Sequence, residues 1–351
     1  MLTNLRIALV LVLALALTGC GSLYVAQAAK GQLAILAARK PIARVIADPR
    51  ADSEVRRRLA TVREARAFAV RELSLPDNRS YSTYADLHRE FVVWSVVATP
   101  EFSVQPKEWC FPIVGCVAYR GYFKEKSADG FATRLRDAGY DVTVGGVPAY
   151  STLGKFNDPI LNTMLVYGDD ELASIMFHEL SHQVVYIAND SSFNEAFAVA
   201  VEQEGLARWL EAHGRKADLE KYVQRRARQS EGIHIVSRYR DELAKLYAQD
   251  LPAGEMRARK ADVFARLLAQ VRDRDARLGI KSGLAKDLEG PPNNARLASL
   301  ATYYDCVPGF ERLLAGLDRD LPRFFDAVRE LAKLPRDERR ARLCLSETAE
   351  P

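Results

Sequence analysis

Residues 176 to 185 read Met-Phe-His-Glu-Leu-Ser-His-Gln-Val-Val, and the two histidines in this run stand four apart with a glutamate directly after the first. On a helix, residues four apart share a face, so His178 and His182 can present two imidazoles to one point with Glu179 beside them. That is the His-Glu-x-x-His pattern of zinc peptidases, in which two ring nitrogens hold the metal and the glutamate serves as general base. Catalytic zinc takes three protein ligands and leaves a fourth position for water. The third must come from nearby in space.

The next helix opens Ser192-Phe193-Asn194-Glu195-Ala196-Phe197-Ala198 after a turn of only a few residues, which predicts an antiparallel helical hairpin. In such a hairpin, residues equidistant from the turn lie level. The midpoint of 182 and 195 is 188.5, inside the turn, so Glu195 stands at the height of His182. The midpoint of 178 and 202 is 190, so Glu202 can reach His178 and fix its tautomer as an outer hydrogen-bond partner. A competing reading is local: Ser192 with Glu195 three residues later is also a capping-box pattern, which needs no metal.

The elements around these residues predict an α+β fold, predominantly helical. Residues 24–75 read as helix with a break at Asp48-Pro49, ending at Leu75-Pro76-Asp77-Asn78. Residues 91–97, 116–123 and 140–144 are rich in β-branched and aromatic types, and a helical stretch, 127–138, separates the last two. The metal helix is expected over 170–187 and its partner over 192–213, stopped by Gly214. Beyond it, helices are expected at 217–230, 236–248, 254–278, 293–304, 308–317 and 321–333. The 254–278 segment carries charge on most faces and reads as a solvated arm. With no convincing linker, residues 20–351 are expected to form a single metallopeptidase domain: an N-terminal helical part (20–90), the sheet and hairpin (91–214) and a helical C-terminal part (215–351).

With 48% hydrophobic and 27% charged residues, the 351-residue chain has the balance of a globular protein. Its net charge of +4 is the remainder of 50 basic and 46 acidic side chains mixed along the chain, with no basic stripe for nucleic acid. The first twenty residues place Arg6 before an apolar run of about eleven residues, too short to span a bilayer, and end Leu17-Thr18-Gly19-Cys20. They resemble a bacterial lipoprotein signal, cleaved so that Cys20 carries the lipid. The resemblance implies a periplasm-facing lipoprotein, and Gly21 in place of a retaining aspartate favours the outer membrane. Export permits disulfides. Cys110, Cys116, Cys306 and Cys344 allow three pairings; Cys110 and Cys116 flank a short turn and could close a small loop, leaving Cys306 with Cys344, while free buried thiols are the alternative.

The segments around the two histidines and Asn194-Glu195-Ala196-Phe197-Ala198 with Glu202 resemble the gluzincin aminopeptidases of the alanyl and leukotriene-hydrolase type. There a similar segment supplies the third zinc ligand, and a glutamate seven residues on is its outer partner. Twelve residues separate His182 from Glu195 here, fewer than in those enzymes. The shorter connection is closer to a family of bacterial lipoproteins predicted to be aminopeptidases. It resembles this chain over nearly all of the mature sequence, in Trp109-Cys110-Phe111-Pro112, Tyr119-Arg120-Gly121-Tyr122-Phe123, Ala149-Tyr150-Ser151-Thr152-Leu153-Gly154 and Asn293-Asn294-Ala295-Arg296. The resemblance implies a zincin-like core, one zinc ion held by His178, His182 and Glu195, and a peptide substrate.

Two further roles need residues. A donor for the developing oxyanion could come from Tyr303, Tyr304 or Arg296, although a lone tyrosine on an apolar helix face also serves as core. Extended substrates pair with edge strands, and residues 116–123 are the candidate, with Tyr119, Arg120 and Tyr122 as substrate contacts; Arg120 equally suits a buried carboxylate. The Gly-Ala-Met-Glu-Asn segment that binds a free α-amine in the alanyl-type enzymes is absent from the sequence. An anchored aminopeptidase, an endopeptidase acting on envelope proteins, and a lipoprotein stapled by metal without catalysis all remain open; a staple has no need of Glu179.

Overall fold

The structure is a computed structural model that describes residues 20–111, 115–149, 151–304 and 306–344, with the side chains of 20–23 and 301–304 outside that description. The expected signal, 1–19, and the side chains of Cys20, Tyr303 and Tyr304 therefore lie outside the described residues. Among those described, no helix is long and apolar enough to cross a membrane.

In chain order the elements are α1 (Cys20–Ala38), β1 (Lys40–Pro41), α2 (Ile42–Ala47), α3 (Ser53–Leu73), β2 (Thr83–Ala85), β3 (Val93–Pro100), β4 (Trp109–Phe111), β5 (Gly115–Val117) and β6 (Arg120–Tyr122). There follow α4 (Glu125–Asp137), β7 (Tyr140–Val147), β8 (Ile160–Leu161), α5 (Asp169–Ser181), α6 (Ser191–Ala212), α7 (Lys216–Tyr247) and α8 (Ala253–Leu278). The chain closes with α9 (Gly283–Leu288), α10 (Asn294–Tyr304), α11 (Val307–Ala315), α12 (Leu321–Ala332) and α13 (Arg336–Leu343). The α-rich chain with small sheets agrees with the α+β expectation. The N-terminal helical run breaks at Asp48 as expected, and α3 begins where the Asp52 carboxylate accepts the amides of Glu54 and Val55.

Strand β3 is the centre of a sheet ordered β6-β3-β7, antiparallel throughout, with Val93 opposite Val147 and Pro100 opposite Tyr140. The expected single strand over 116–123 is divided instead. Gly115–Val117 pairs with β4 in a hairpin closed by the Cys110–Cys116 disulfide, and Arg120–Tyr122 forms the sheet's edge against β3. Ala118 and Tyr119 are the corner between them.

Two further expectations fail for identifiable reasons. The helices expected at 217–230 and 236–248 are one helix, α7: Gly232 reads as a break, yet it lies inside the helix and buried, where the missing Cβ leaves room for the Arg274 guanidinium of α8, 2.7 Å from where a Cβ would stand. Nor is 254–278 a solvated arm. Met256, Val263, Phe264, Leu267 and Val271 form a buried stripe against Ile235, Val236, Leu243 and Leu246. Several of the charges that obscured it are internal: Lys260 is buried and bonds Asp141 (2.6 Å) and the Glu101 carbonyl.

The largest core joins α3, α5, α6, α11 and α12, with Phe68, Phe177, Phe197, Phe310 and Phe324 inside it. The unexpected last helix, α13, is fastened twice to this core. Cys344 is bonded to Cys306, and buried Arg339 grips Asp190 through two nitrogens at 3.0 and 2.6 Å.

At the far end of α6, His213 bonds Glu64 (3.0 Å) and the Trp209 carbonyl, and these contacts raise its pKa over the opposing effects of burial and Arg215. A raised folded-state pKa stabilises below the unfolded value near 6.5 and is lost as pH climbs through the folded value. Urea unfolding should therefore show wild type more stable than Glu64→Gln at pH 5.5, with the difference gone by pH 9. A constant difference would remove the linkage.

Candidate metal centre

Helix α5 ends earlier than the sequence suggests. The Ser181 hydroxyl bonds back to the His178 carbonyl (2.6 Å), and tight turns from Gln183 and Val184 close the chain after it. His182 is thus the C-cap, still with helical φ and ψ of −60° and −17°, so it keeps the face of His178. Buried Met176, Phe177 and Leu180 hold that helix from behind.

The turn to α6 is fixed by Asn194, which accepts from the Ile187 amide and donates to the Ile187 carbonyl, both at 2.8 Å. This two-point clamp sets the register between the helices. The cap of α6 is Asp190, whose carboxylate accepts from the Phe193 amide. The Ser192–Glu195 capping box is therefore not the arrangement found, and Glu195 turns toward the histidines. Its Oε2 lies 3.4 Å from His178 Nε2 and 3.9 Å from His182 Nε2.

The three ligand atoms of His178, His182 and Glu195 lie within 4.8 Å of one another. A tetrahedral zinc about 2.0–2.1 Å from each of three donors would hold them about 3.3 Å apart. Of the two separations from Glu195, the one to His178 matches closely and the one to His182 is slightly open, while all three pairs stay within 4.8 Å. Two imidazoles and a carboxylate are also the donor types zinc takes at an open site. The cluster fits such an ion.

Behind the ligands, Glu202 Oε2 meets His178 Nδ1 at 3.0 Å, and the Ser174 hydroxyl donates to Glu202 Oε1 at 2.6 Å. This leaves His178 Nε2 turned to the cluster. Ser174, four residues before His178, completes a chain of orientation that sequence reasoning missed, although its helical spacing was visible. Glu202→Ala should weaken metal affinity by about 10- to 100-fold with the fold intact, measured by competition with a chromophoric chelator; unchanged affinity would remove Glu202 from the site. Buried His182 Nδ1 has no hydrogen-bond partner among the described residues.

Desolvation dominates the electrostatics. Burial pushes Glu179 up to about 7 despite the opposing charge of His178, with Glu195, Asp158 and Glu202 adding to the rise, and burial lowers His182 to about 4. For His178, burial opposes the charged form, but hydrogen bonds to Glu195 and Glu202 outweigh it and raise its pKa; Glu195 is correspondingly lowered. Several carboxylates thus converge where water is largely excluded, an environment favourable to a cation.

Three tyrosines feel the charge of this acidic centre. Tyr119 is 40% exposed, yet its hydroxyl is desolvated and held protonated by burial, then by Glu195, Tyr186 and Glu179. Its hydroxyl therefore lies within electrostatic reach of both Glu195 and Glu179. Tyr186, four residues past His182, feels burial and then Glu195. Tyr81 is buried, with Glu179 and Asp158 raising its pKa after desolvation. Its φ of 60° is a conformation that bulky residues seldom adopt. Sequence reasoning missed Tyr81 altogether, since a strained loop residue leaves no periodic signal.

Other expected contacts lie elsewhere. Arg120 and Tyr122 share the opposite side of the chain from Tyr119: the guanidinium stacks over Tyr24 (4.0 Å) and Phe131 (4.7 Å), and Tyr122 is buried with Ala128 and Ala132. Both side chains are engaged in packing on that side, and among the described residues no hydrogen bond or ion pair joins either to the cluster. Arg296 donates to the Glu289 carbonyl (2.7 Å), and among the described residues no hydrogen bond or ion pair joins it to the cluster.

A family model described as "putative aminopeptidase" matches residues 23–343. The chain belongs to this family. The match runs from within α1 to the end of α13, including the hairpin that carries His178, His182, Glu195 and Glu202. No curated protein and no solved structure matches the chain.

Proposed function

We propose that this member of the family is a zinc-dependent aminopeptidase with a zincin-like, gluzincin-type core, exported as a lipoprotein and anchored through Cys20 to face the periplasm, at the outer membrane. The observation that carries the reading is the convergence of His178, His182 and Glu195 with Glu179 desolvated beside them. A metal staple would need the first three residues and not the fourth.

Bound to His178, His182 and Glu195, zinc would supply a Lewis acid and lower the pKa of the attacking water. Glu179 accepts the proton released by that water and returns it to the departing amine. Burial keeps the basicity of Glu179 high enough for both transfers. Glu202 holds His178 in the tautomer that turns Nε2 inward. The protonated phenols of Tyr119, Tyr186 and Tyr81 supply donors for the oxygen that gains charge as the peptide carbonyl is attacked.

A comparison of alanyl amides with their N-acetylated counterparts tests the aminopeptidase reading. Cleavage restricted to substrates with a free α-amine is expected. Comparable cleavage of blocked peptides would make the enzyme an endopeptidase.

A further inference from the structure

A second polar feature lies one helical turn from the metal centre. A cavity of about 390 Å³ opens at the start of α6, lined by Arg240, Arg336, Arg340, Glu108, Ser192 and Ala118 among others. Arg336 and Arg340 of α13 line it together with one carboxylate, Glu108. Arg336 approaches Glu108 and Asp190 only at 3.9 and 4.0 Å. No ion pair of Arg340 exists among the described residues, while the carboxylate of Asp190 is taken up by Arg339. The cavity is left with an excess of positive charge.

Its position is enforced. Arg336 and Arg340 stand four apart on α13, facing one way. Between them Arg339 makes the buried pair with Asp190, the cap of the helix that carries Glu195, and Cys344 ties the end of α13 to Cys306. A buried ion pair and a disulfide thus hold two accessible arginines at this place. Two residues of its lining neighbour the metal centre along the chain: Ser192 lies one turn before Glu195 on the same face of α6, and Ala118 directly precedes Tyr119, whose hydroxyl feels Glu195 and Glu179.

We propose that this cavity receives a carboxylate of the substrate, foremost the C-terminal carboxylate of a short peptide, and so directs the enzyme to di- and tripeptides. The inference rests on the peptidase reading above. Ser192 and Glu195 are separated by about 4.5 Å along the helix. An extended peptide advances about 3.3–3.6 Å per residue, so one or two residues beyond the cleaved bond bring a terminal carboxylate among the guanidinium groups. Planar, two-pronged Arg–carboxylate recognition suits this chemistry.

The test compares Ala-Ala-Ala, its C-terminal amide and the amide Ala-Ala-Glu-NH2 on the zinc-loaded mature chain and on Arg336→Gln/Arg340→Gln. Wild type should favour the free acid over the plain amide at least about tenfold in kcat/KM, and the double variant should lose that preference. Recovery with Ala-Ala-Glu-NH2 would support the carboxylate site with a side chain as the source. Equal turnover of all three peptides, or a preference that survives the double substitution, would overturn the proposal. Calorimetric titration of metal-free protein with Ala-Ala-Ala and its amide separates the two readings. Acid-selective binding lost in the variant, without hydrolysis of any peptide by the zinc-loaded chain, sinks the peptidase reading and keeps the cavity; absence of acid selectivity in that titration sinks the cavity. Circular dichroism checks that the variant folds, as the 47% exposure of Arg336 leads one to expect.

Discussion

Glu179→Gln should lower turnover of an alanyl amide by about 10³-fold, within the range that positioned general acid–base catalysis contributes, while zinc binding and stability change little. The amide of glutamine fits the same space beside His178 and takes no proton from water. The change also removes a buried ionisable group whose charged form is disfavoured by desolvation, so the fold should tolerate it. Stopped assays with metal content measured on the same sample separate the effects. A fully active Glu179→Gln would mean that another group accepts the proton.

His182→Ala should abolish detectable turnover and remove the bound zinc. Its ring is only 7% exposed, packed against His178 with ring centres 5.0 Å apart, and nothing else among the described residues can take its place beside Glu195. Two donors remain in the variant, one fewer than a catalytic zinc site uses. The loss is of coordination more than of packing, so the two substitutions should differ in metal content although both stop turnover. His182→Ala that retains stoichiometric zinc would place the metal elsewhere.

The hairpin was legible because its signals are local. Histidines four apart, a short turn and a glutamate at matching height follow from helix geometry alone, and the structure brings these residues together. The end of α5 was misplaced by several residues because Ser181 bonds back to the helix, a choice that apolar periodicity does not record. Glu195 was open to two readings until Asp190 proved to be the cap. The phenols were harder. Tyr81 and Tyr119 reach the centre from loops separated from it by many residues, and only tertiary packing decides which tyrosine arrives. The same holds for α8, where Lys260 and Arg274 count as surface charges in a sequence and as internal partners in the fold.

Zinc content of the purified mature chain, by inductively coupled plasma mass spectrometry, tests the central claim most directly. One zinc per chain is predicted for wild type and for Glu179→Gln, and none for His182→Ala. A chain that cleaves peptides without stoichiometric metal, or that keeps its zinc when His182 is replaced, would contradict the account.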